Sequence, residues 1–322
     1  MPATPSLRLG LVLGGGGARG LAHIGVLERL ETAGLAPDIL VGVSMGSIIG
    51  ATYAVRQDWS PALREEDWSR LPVVNEALEG DLLQRVSAYG RTLRRLAPTM
   101  THWTPSKGFS SDARATLVDL FGEETTFADC RLPFAAIATD LRAGERVVLR
   151  AGPLADAVLA SGSIPGLARP VERDGAALVD GGFSDPAPVD VARELGADVV
   201  VAVQVGLPAG DEPAENWSGA MLQALEAGHR AFAESRFRHA DLVLRPAFSS
   251  RTRMLDFSAV VELIAVGEAC VEEHLDGLAA LPGGERGAAP ARSGGEWRLG
   301  AVCAHGSATR ASGGWATVGG HE

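Results

Sequence analysis

The sequence has few cysteines, and their positions exclude two kinds of site. Cys130, Cys270 and Cys303 are the only cysteines in 322 residues. None belongs to a CxxC pair, and none has a histidine at the spacing of a metal ligand. The sequence therefore predicts neither a disulfide framework nor a zinc site. We expect a reducing compartment, the cytoplasm, and no metal or other cofactor.

Positive charge is also scarce. The formal net charge is −11 at pH 7, which argues against a nucleic-acid partner and against adsorption to anionic membranes by charge alone. The N-terminus carries one arginine and a very short apolar run, a pattern that is not typical of a signal peptide. The uncharged stretch 39–55 is shorter than a bilayer span requires. Any lipid contact is expected to be hydrophobic or local.

What the sequence does have is a repeated alternation of short apolar runs and helical periodicity. The run Leu9–Leu13 ends in glycines and precedes a helical pattern over 21–33. A second run, Ile39–Val43, leads through Ser44 into another helical segment. Such alternation predicts parallel strands with helices on both faces, and functional sites in these sheets form at the carboxyl ends of the strands.

The first candidate site is the pentapeptide GVSMG, which carries Ser44 between Gly42 and Gly46. GxSxG arises often by chance, and an ordinary strand-to-helix turn is the alternative interpretation. Its position between a predicted strand and a predicted helix is typical of a nucleophile elbow, in which two glycines permit the sharp turn that exposes the serine.

The glycine-rich segment 14–20, GGGGARG, ends the first predicted strand and opens the first helix. Its backbone N–H groups can converge on an anion, either a dinucleotide pyrophosphate or the oxyanion of an acyl-transfer intermediate. A dinucleotide site requires an acidic residue at the end of the second strand, where this chain has GVSMG. The oxyanion interpretation is favoured over the dinucleotide site and over a purely structural turn.

A serine nucleophile needs a base, which is usually a histidine. The histidines lie in predicted helices, at helix ends or in the tail, and we interpret them as packed or surface residues: His23, His102, His229, His239, His274, His305 and His321. Asp180 instead closes the apolar run 176–179 and precedes two glycines. An Asp-Gly pair alone mostly marks a turn, but this one places a carboxylate at a strand end.

Four motifs together resemble one family. GGGGARG, GVSMG, SGSIPG at 161–166, and DGG followed by DPAPVDVARELGADVVVAV have the order and spacing of bacterial patatin-like phospholipases. The match covers residues 9–205. The sequence departs from the pattern at Gly162, where many relatives have a second small or polar residue, and no counterpart is recognised for the tail after Pro282.

The resemblance implies an α/β fold of three layers, with a mainly parallel central sheet flanked by helices. It also implies a Ser–Asp dyad without histidine, with Ser44 as nucleophile and Asp180 as base. The implied oxyanion loop contains Gly15, Gly16 and Gly17, and Arg19 is a further candidate there.

The activity implied by the resemblance is that of a serine acyl hydrolase, a phospholipase or lipid esterase acting on lipid or other apolar acyl esters. A transient contact with a membrane surface fits this substrate class. An acyltransferase using the same acyl-enzyme, and a non-catalytic regulatory protein on the same fold, are the alternatives. No residue pattern indicates an oligomeric state.

Three segments are expected along the chain. Residues 9–205 form the predicted catalytic domain, 206–282 a helical extension packing on it, and 283–322 a tail whose Gly, Ala and Ser content predicts disorder. Within the first segment, a hydrophobic stripe from Leu82 to Leu96 predicts a helix. It is either a packing helix with a basic edge or an interfacial lid.

Overall fold

The structure, a computed structural model, describes residues 7–71, 107–165, 167–206, 217–249, 252 and 256–282. By internal contacts the chain divides into Met1–Ala289 and Pro290–Glu322, and the second unit lies outside the described residues. The predicted helical stripe at 82–96 and the predicted tail 283–322 lie outside them too.

The described strands join in one sheet. They are β1 (Leu9–Leu13), β2 (Ile39–Val43), β3 (Phe134–Asp140), β4 (Glu145–Leu149), β5 (Val171–Arg173), β6 (Ala176–Asp180), β7 (Val199–Val203) and β8 (Leu242–Leu244). Their order is β5-β6-β3-β2-β1-β7-β8, and β4 also pairs with β3. The pairs from β3 through β2, β1 and β7 to β8 are parallel, whereas β4, β5 and β6 pair antiparallel at one side.

Helices connect these strands. They are α1 (Ala22–Thr32), α2 (Met45–Val55), α3 (Trp59–Glu65), α4 (Lys107–Phe121), α5 (Leu154–Ser161), α6 (Val189–Glu194), α7 (Trp217–Phe237), α8 (Val260–Glu273) and α9 (Leu275–Ala279). The strand–helix alternation predicted for the first half of the chain is confirmed, because β1, α1, β2 and α2 follow one another as expected.

Both faces of the sheet are buried, which makes the fold three-layered. Because side chains alternate along a strand, Leu11 and Leu13 of β1 enter one core cluster together with α1, α2 and α5. Val12 enters a second cluster on the other face with Val191 of α6 and Phe237 of α7. The predicted three-layer α/β fold with a mainly parallel sheet is therefore confirmed.

The strand that carries Asp180 runs opposite to its neighbour β3. In their register Asp140 faces Leu178 and Ala138 faces Asp180, while Ile137 faces Val43 of β2. β6 therefore runs in the direction opposite to the parallel strands, starts past their carboxyl ends, and ends level with the end of β2. Asp180 reaches the carboxyl edge of the parallel strands from an antiparallel one, a geometry that its place after an apolar run did not predict.

The segment after residue 206 contributes to the same unit. β8 pairs in parallel with β7, and α8 packs closely along α1. At the crossing a Cβ added to Gly267 would lie 1.9 Å from the Ala22 carbonyl oxygen, so the two helix backbones approach too closely for any side chain. The boundaries 9–205 and 206–282 stay a prediction.

Candidate active site

Ser44 lies in the sharp turn between β2 and α2. Its backbone has φ 53° and ψ −123°, a left-handed conformation that is strained for a residue with a side chain. A Cβ added to Gly42 would lie 2.4 Å from the Ser47 Cα, and one added to Gly46 would lie 2.1 Å from the Leu13 carbonyl oxygen. Only glycine fits at these two positions, and the turn has the strained strand-to-helix geometry of a nucleophile elbow.

Asp180 lies beside this serine at the end of β6. The Ser44 hydroxyl lies close enough to its carboxylate to lower the carboxyl pKa by hydrogen bonding, and the Gly182 N–H donates to Oδ1 over 2.8 Å. Main-chain bonds hold the residue in place, because its own N–H donates to the Ser163 carbonyl over 2.9 Å and its carbonyl accepts from the Thr139 hydroxyl over 2.8 Å. The sequence-predicted pair is thus brought together.

Burial controls the acidity of Asp180. The residue is 6% exposed, and loss of solvation raises the pKa of its carboxyl to about 6, against the opposing effect of the hydrogen bonds from Ser44 and Gly182. A carboxylate with this pKa is ionised at pH 7 and is a stronger base than an aspartate in water. The pair can therefore transfer a proton from the serine hydroxyl near neutral pH.

The glycine-rich loop passes directly over Ser44. A Cβ added to Gly15 would lie 3.1 Å from the Ser44 Cβ, and one added to Gly16 would lie 2.4 Å from the Val205 carbonyl oxygen. Gly17 has φ 58° and lines the same cavity as Ser44. The predicted oxyanion loop therefore brings bare backbone to the serine.

The structure places the side chain of Arg19 beside carbonyl groups of later segments of the chain. Its side chain is buried, and its guanidinium donates to the Thr252 carbonyl at 2.6 Å and to the Gly206 carbonyl at 3.3 Å. The guanidinium carbon also lies 5.8 Å from the centre of the Phe248 ring. These contacts tie the loop to later segments of the chain, and a role of Arg19 in the oxyanion site stays a prediction.

An apolar cavity opens at Ser44. Its lining is mainly hydrophobic and includes Met45 and Ile48 of α2, Leu117 of α4, Val158 of α5 and Phe257. Such a lining can hold an alkyl or acyl chain against the nucleophile by removing apolar surface from water.

The sequence did not predict a hydrogen bond that holds the backbone of Ser44 in place. The Ser44 N–H donates to the Ser161 hydroxyl oxygen over 2.9 Å, and Ser161 is fully buried at the end of α5. Ser163, two residues later, accepts from Asp180. The two serines of the motif SGSIPG thus accept hydrogen bonds from the backbone N–H groups of Ser44 and Asp180, a role that the sequence alone did not indicate.

Histidines take no part in the described dyad. Among the described residues, the carboxylate of Asp180 has Ser44 and Gly182 as its hydrogen-bond partners. His23 is bonded to the Gly14 carbonyl, His274 to the Cys270 carbonyl, and His102 lies outside the described residues. Within the part of the chain that the structure describes, no group of three or more His, Cys, Asp or Glu side chains could hold a metal ion.

The sequence and its relatives agree with this geometry. The family model described as "Patatin-like phospholipase" matches residues 11–193, more than half of the chain and a range that contains both Ser44 and Asp180. The chain belongs to the patatin-like phospholipase family. Membership explains why the elbow, the glycine loop and the strand-end aspartate occur together, and it confirms the family that the four motifs indicated.

Several curated relatives carry the patatin-like name. Patatin-like phospholipase domain-containing protein ZK370.4 of Caenorhabditis elegans is 38% identical over 200 residues, which is 62% of this chain and 14% of the relative. The domain-containing protein 7 of Rattus norvegicus is 35% identical and covers the same two shares, 62% and 14%. Lysophospholipase nte1 of Aspergillus fumigatus is 35% identical, with 62% of this chain and 12% of the relative covered.

The chain thus spans about a seventh of the length of these relatives. Among solved structures, VipD from Legionella pneumophila aligns over 85% of this chain and 67% of its own, with a TM-score of 0.47 and 16% identity. The three curated relatives named above are eukaryotic, and the bacterial character of the resemblance stays a prediction.

Proposed function

We propose that this patatin-like chain is a serine acyl hydrolase acting on lipid or other apolar acyl esters. The observation that carries the proposal is the buried carboxylate of Asp180 beside a serine in a strained elbow. The apolar cavity at Ser44 supports the substrate class, and so does the name lysophospholipase given to one relative.

The proposed reaction proceeds through an acyl-enzyme. Asp180 accepts the proton of the Ser44 hydroxyl as the oxygen attacks the ester carbonyl, and backbone N–H groups of Gly15, Gly16 and Gly17 bind the oxyanion. The intermediate collapses, and the leaving alcohol takes the proton from Asp180. Water then attacks the acyl-enzyme and gives a proton to Asp180, which returns it to Ser44 as the free acid departs.

A transient contact with a lipid surface belongs to the same proposal. Phe183, three residues after Asp180, is 59% exposed, and Leu141, directly after β3, is 48% exposed. Large apolar side chains at such positions can enter a lipid surface without a spanning segment. Among the described residues no helix has both the length and the apolar character to cross a bilayer.

The proposal extends to the organisation of the chain and to its compartment. Residues 9–205 act as the catalytic domain, and 206–282 form an extension that supports it, since α8 packs on α1 and β8 extends the sheet. A cytoplasmic location is supported by the two described cysteines, Cys130 and Cys270, which are free thiols.

A fluorophosphonate probe tests the nucleophile directly. We expect the probe to label the protein and peptide mapping to place the label on Ser44. Ser44→Ala should lose both the label and the hydrolysis of a p-nitrophenyl ester while keeping its far-ultraviolet circular dichroism. The control Ser235→Ala removes a hydroxyl that bonds only its own helix and should keep both. Undiminished hydrolysis by Ser44→Ala would show that another residue is the nucleophile.

A further inference from the structure

His23, in the first turn of α1, is a buried histidine that the dyad does not use. The residue is fully buried, and its Nε2 lies 2.8 Å from the Gly14 carbonyl oxygen. A carbonyl can only accept, so Nε2 must carry the proton. Burial lowers the pKa of the ring to about 4, and His23 is therefore neutral at pH 7.

The state of the other ring nitrogen, Nδ1, distinguishes between a packing role and a hydrogen-bonding role for His23. Nδ1 is buried and has no hydrogen-bond partner among the described residues. Burying an unpaired polar atom costs stability, and an apolar side chain of similar volume would fill the space without that cost. What the histidine adds over such a side chain is the bond to Gly14.

Both backbone polar groups of Gly14 are hydrogen-bonded, one of them to His23. Its N–H donates to the carbonyl of Val203, the last residue of β7, over 3.1 Å, and its own carbonyl accepts from His23. The loop therefore leaves the sheet through a residue whose donor and acceptor are both occupied.

The orientation of the next amide follows from peptide geometry. A trans peptide is planar, and its C=O and N–H point in opposite directions; the described chain contains no cis peptide bond. Holding the Gly14 carbonyl on His23 therefore turns the Gly15 N–H to the side away from the ring. Gly15 is the residue whose added Cβ would lie 3.1 Å from the Ser44 Cβ.

We propose that His23 is a positioning residue for the oxyanion site, whose Nε2–H holds the Gly14 carbonyl and thereby keeps the Gly15 N–H directed at the reacting oxygen. The role rests on the proposed hydrolase function. His23 neither touches the substrate nor moves a proton, and its effect is exerted through the backbone of the glycine loop.

Two substitutions separate this role from packing. Glutamine can place an N–H donor near the position of Nε2, whereas leucine fills similar space without a donor. We expect His23→Leu to lower kcat by roughly 10- to 100-fold, somewhat less than loss of an oxyanion donor, with KM nearly unchanged. His23→Gln should stay within about tenfold of the unmodified protein. The control His274→Leu removes another histidine bonded to a backbone carbonyl and should leave kcat unchanged.

A trifluoromethyl ketone provides a readout that a structural role would not move. Its adduct with a serine carries an oxyanion, so its inhibition constant should rise in His23→Leu by the same factor as kcat/KM falls, and affinity for a fatty acid product should stay constant. Equal kcat and equal ketone affinity in His23→Leu and the unmodified protein would overturn the role, and so would equal losses in His23→Leu and His23→Gln.

A measurement on the unmodified protein tests the role of His23 even if a His23 variant fails to fold. Side-chain ¹⁵N chemical shifts should show the proton of His23 on Nε2, and a proton on Nδ1 would overturn the role.

The outcomes also separate the two proposals. If the unmodified protein shows no Ser44-dependent hydrolysis, the hydrolase function fails and the role of His23 fails with it. If hydrolysis is normal and His23→Leu matches it, only the role of His23 is lost.

Discussion

At the scale of single residues, the proposed dyad requires a carboxylate to do what a histidine base usually does. An aspartate in water is ionised at pH 7 but binds a proton too weakly to take one from a serine hydroxyl. Burial at the end of β6 raises the pKa of Asp180 to about 6 and so brings it into the range of an ordinary histidine. The fold supplies by desolvation what a triad obtains from an imidazole.

The activity should therefore depend on one ionisation. Asp180 is the base only when deprotonated, so we expect kcat/KM to rise with pH up to about 6 and to level above it. His23, with a pKa of about 4, adds no further step between pH 6 and 8. Acid release measured in a stopped assay avoids the pH-dependent absorbance of nitrophenol. An inflection near pH 7 that moves in a histidine variant would contradict the dyad.

Asp180→Asn should separate chemistry from stability. An amide cannot accept the serine proton, and we expect turnover to fall by about 10⁴-fold, as for loss of a base. Folding raises the pKa of the Asp180 carboxyl from 3.8 to about 6. The contribution of Asp180 to the free energy of unfolding is therefore lost as the pH rises through this range. At pH 8 the variant should gain on the order of 3 kcal/mol in unfolding free energy, and the gain should fade toward pH 4.

Urea unfolding at both pH values measures that gain, and the histidine variants supply the controls for activity. His102→Gln, His229→Gln, His239→Gln and His274→Gln should each stay within about tenfold of normal turnover, as should His23→Gln. A histidine variant as inactive as Ser44→Ala, together with an active Asp180→Asn, would establish a Ser-His-acid triad instead.

The sequence predicted the geometry of the candidate site better than the residues that hold it in place. The elbow at Ser44 and the glycine loop could be predicted because they depend on local backbone geometry, which GVSMG and GGGGARG specify within a few residues. The bond from the Ser44 N–H to Ser161 joins positions 117 residues apart. No local sequence pattern predicts such a pairing. The hydrogen bond of His23 to Gly14 could not be predicted either, because it depends on the course of the intervening turn, which is known only from the folded structure.

At the scale of elements, the site depends on how closely α1 and α8 approach. α1 carries His23, and its position is set by backbone contact with α8. A Cβ added to Gly25 would lie 2.0 Å from the Ile264 carbonyl oxygen, and the approach at Gly267 is equally close.

The direction of β6 is a second property of an element that the sequence did not predict. An apolar run predicts a strand but does not report whether its partner is parallel, because side-chain alternation is the same in both.

Gly267→Ala tests this approach. The added Cβ would lie 1.9 Å from the Ala22 carbonyl oxygen, so the helices must move apart, and we expect a loss of about 1–3 kcal/mol in the free energy of unfolding. Gly228→Ala in α7 is the matched control, because nothing lies within 4 Å of its added Cβ. That variant should gain about 0.5–1 kcal/mol from helix propensity. Equal behaviour of the two in urea titrations would contradict the packing.

At the scale of the whole molecule, the core extends far past Asp180. Leu244 of β8 and Leu263, Ile264 and Val271 of α8 belong to the same buried cluster as Leu11 and Leu13 of β1. A boundary at residue 205 follows the motifs, which end there, but apolar packing continues to Leu278. Sequence motifs indicate residues with a chemical role, and they do not indicate at which residue the hydrophobic core ends.

Two truncations test where the folded unit ends. A chain ending at Pro282 keeps every residue of the described core, and the composition of 283–322 predicts a segment that buries little apolar surface. We expect its Tm to stay within about 3 °C of the full chain, with full esterase activity. A chain ending at Ala259 lacks α8, exposes the face of α1 that α8 covers, and should lose both cooperative unfolding and activity. A large loss of Tm in the longer truncation would show that residues 283–322 contribute to the core.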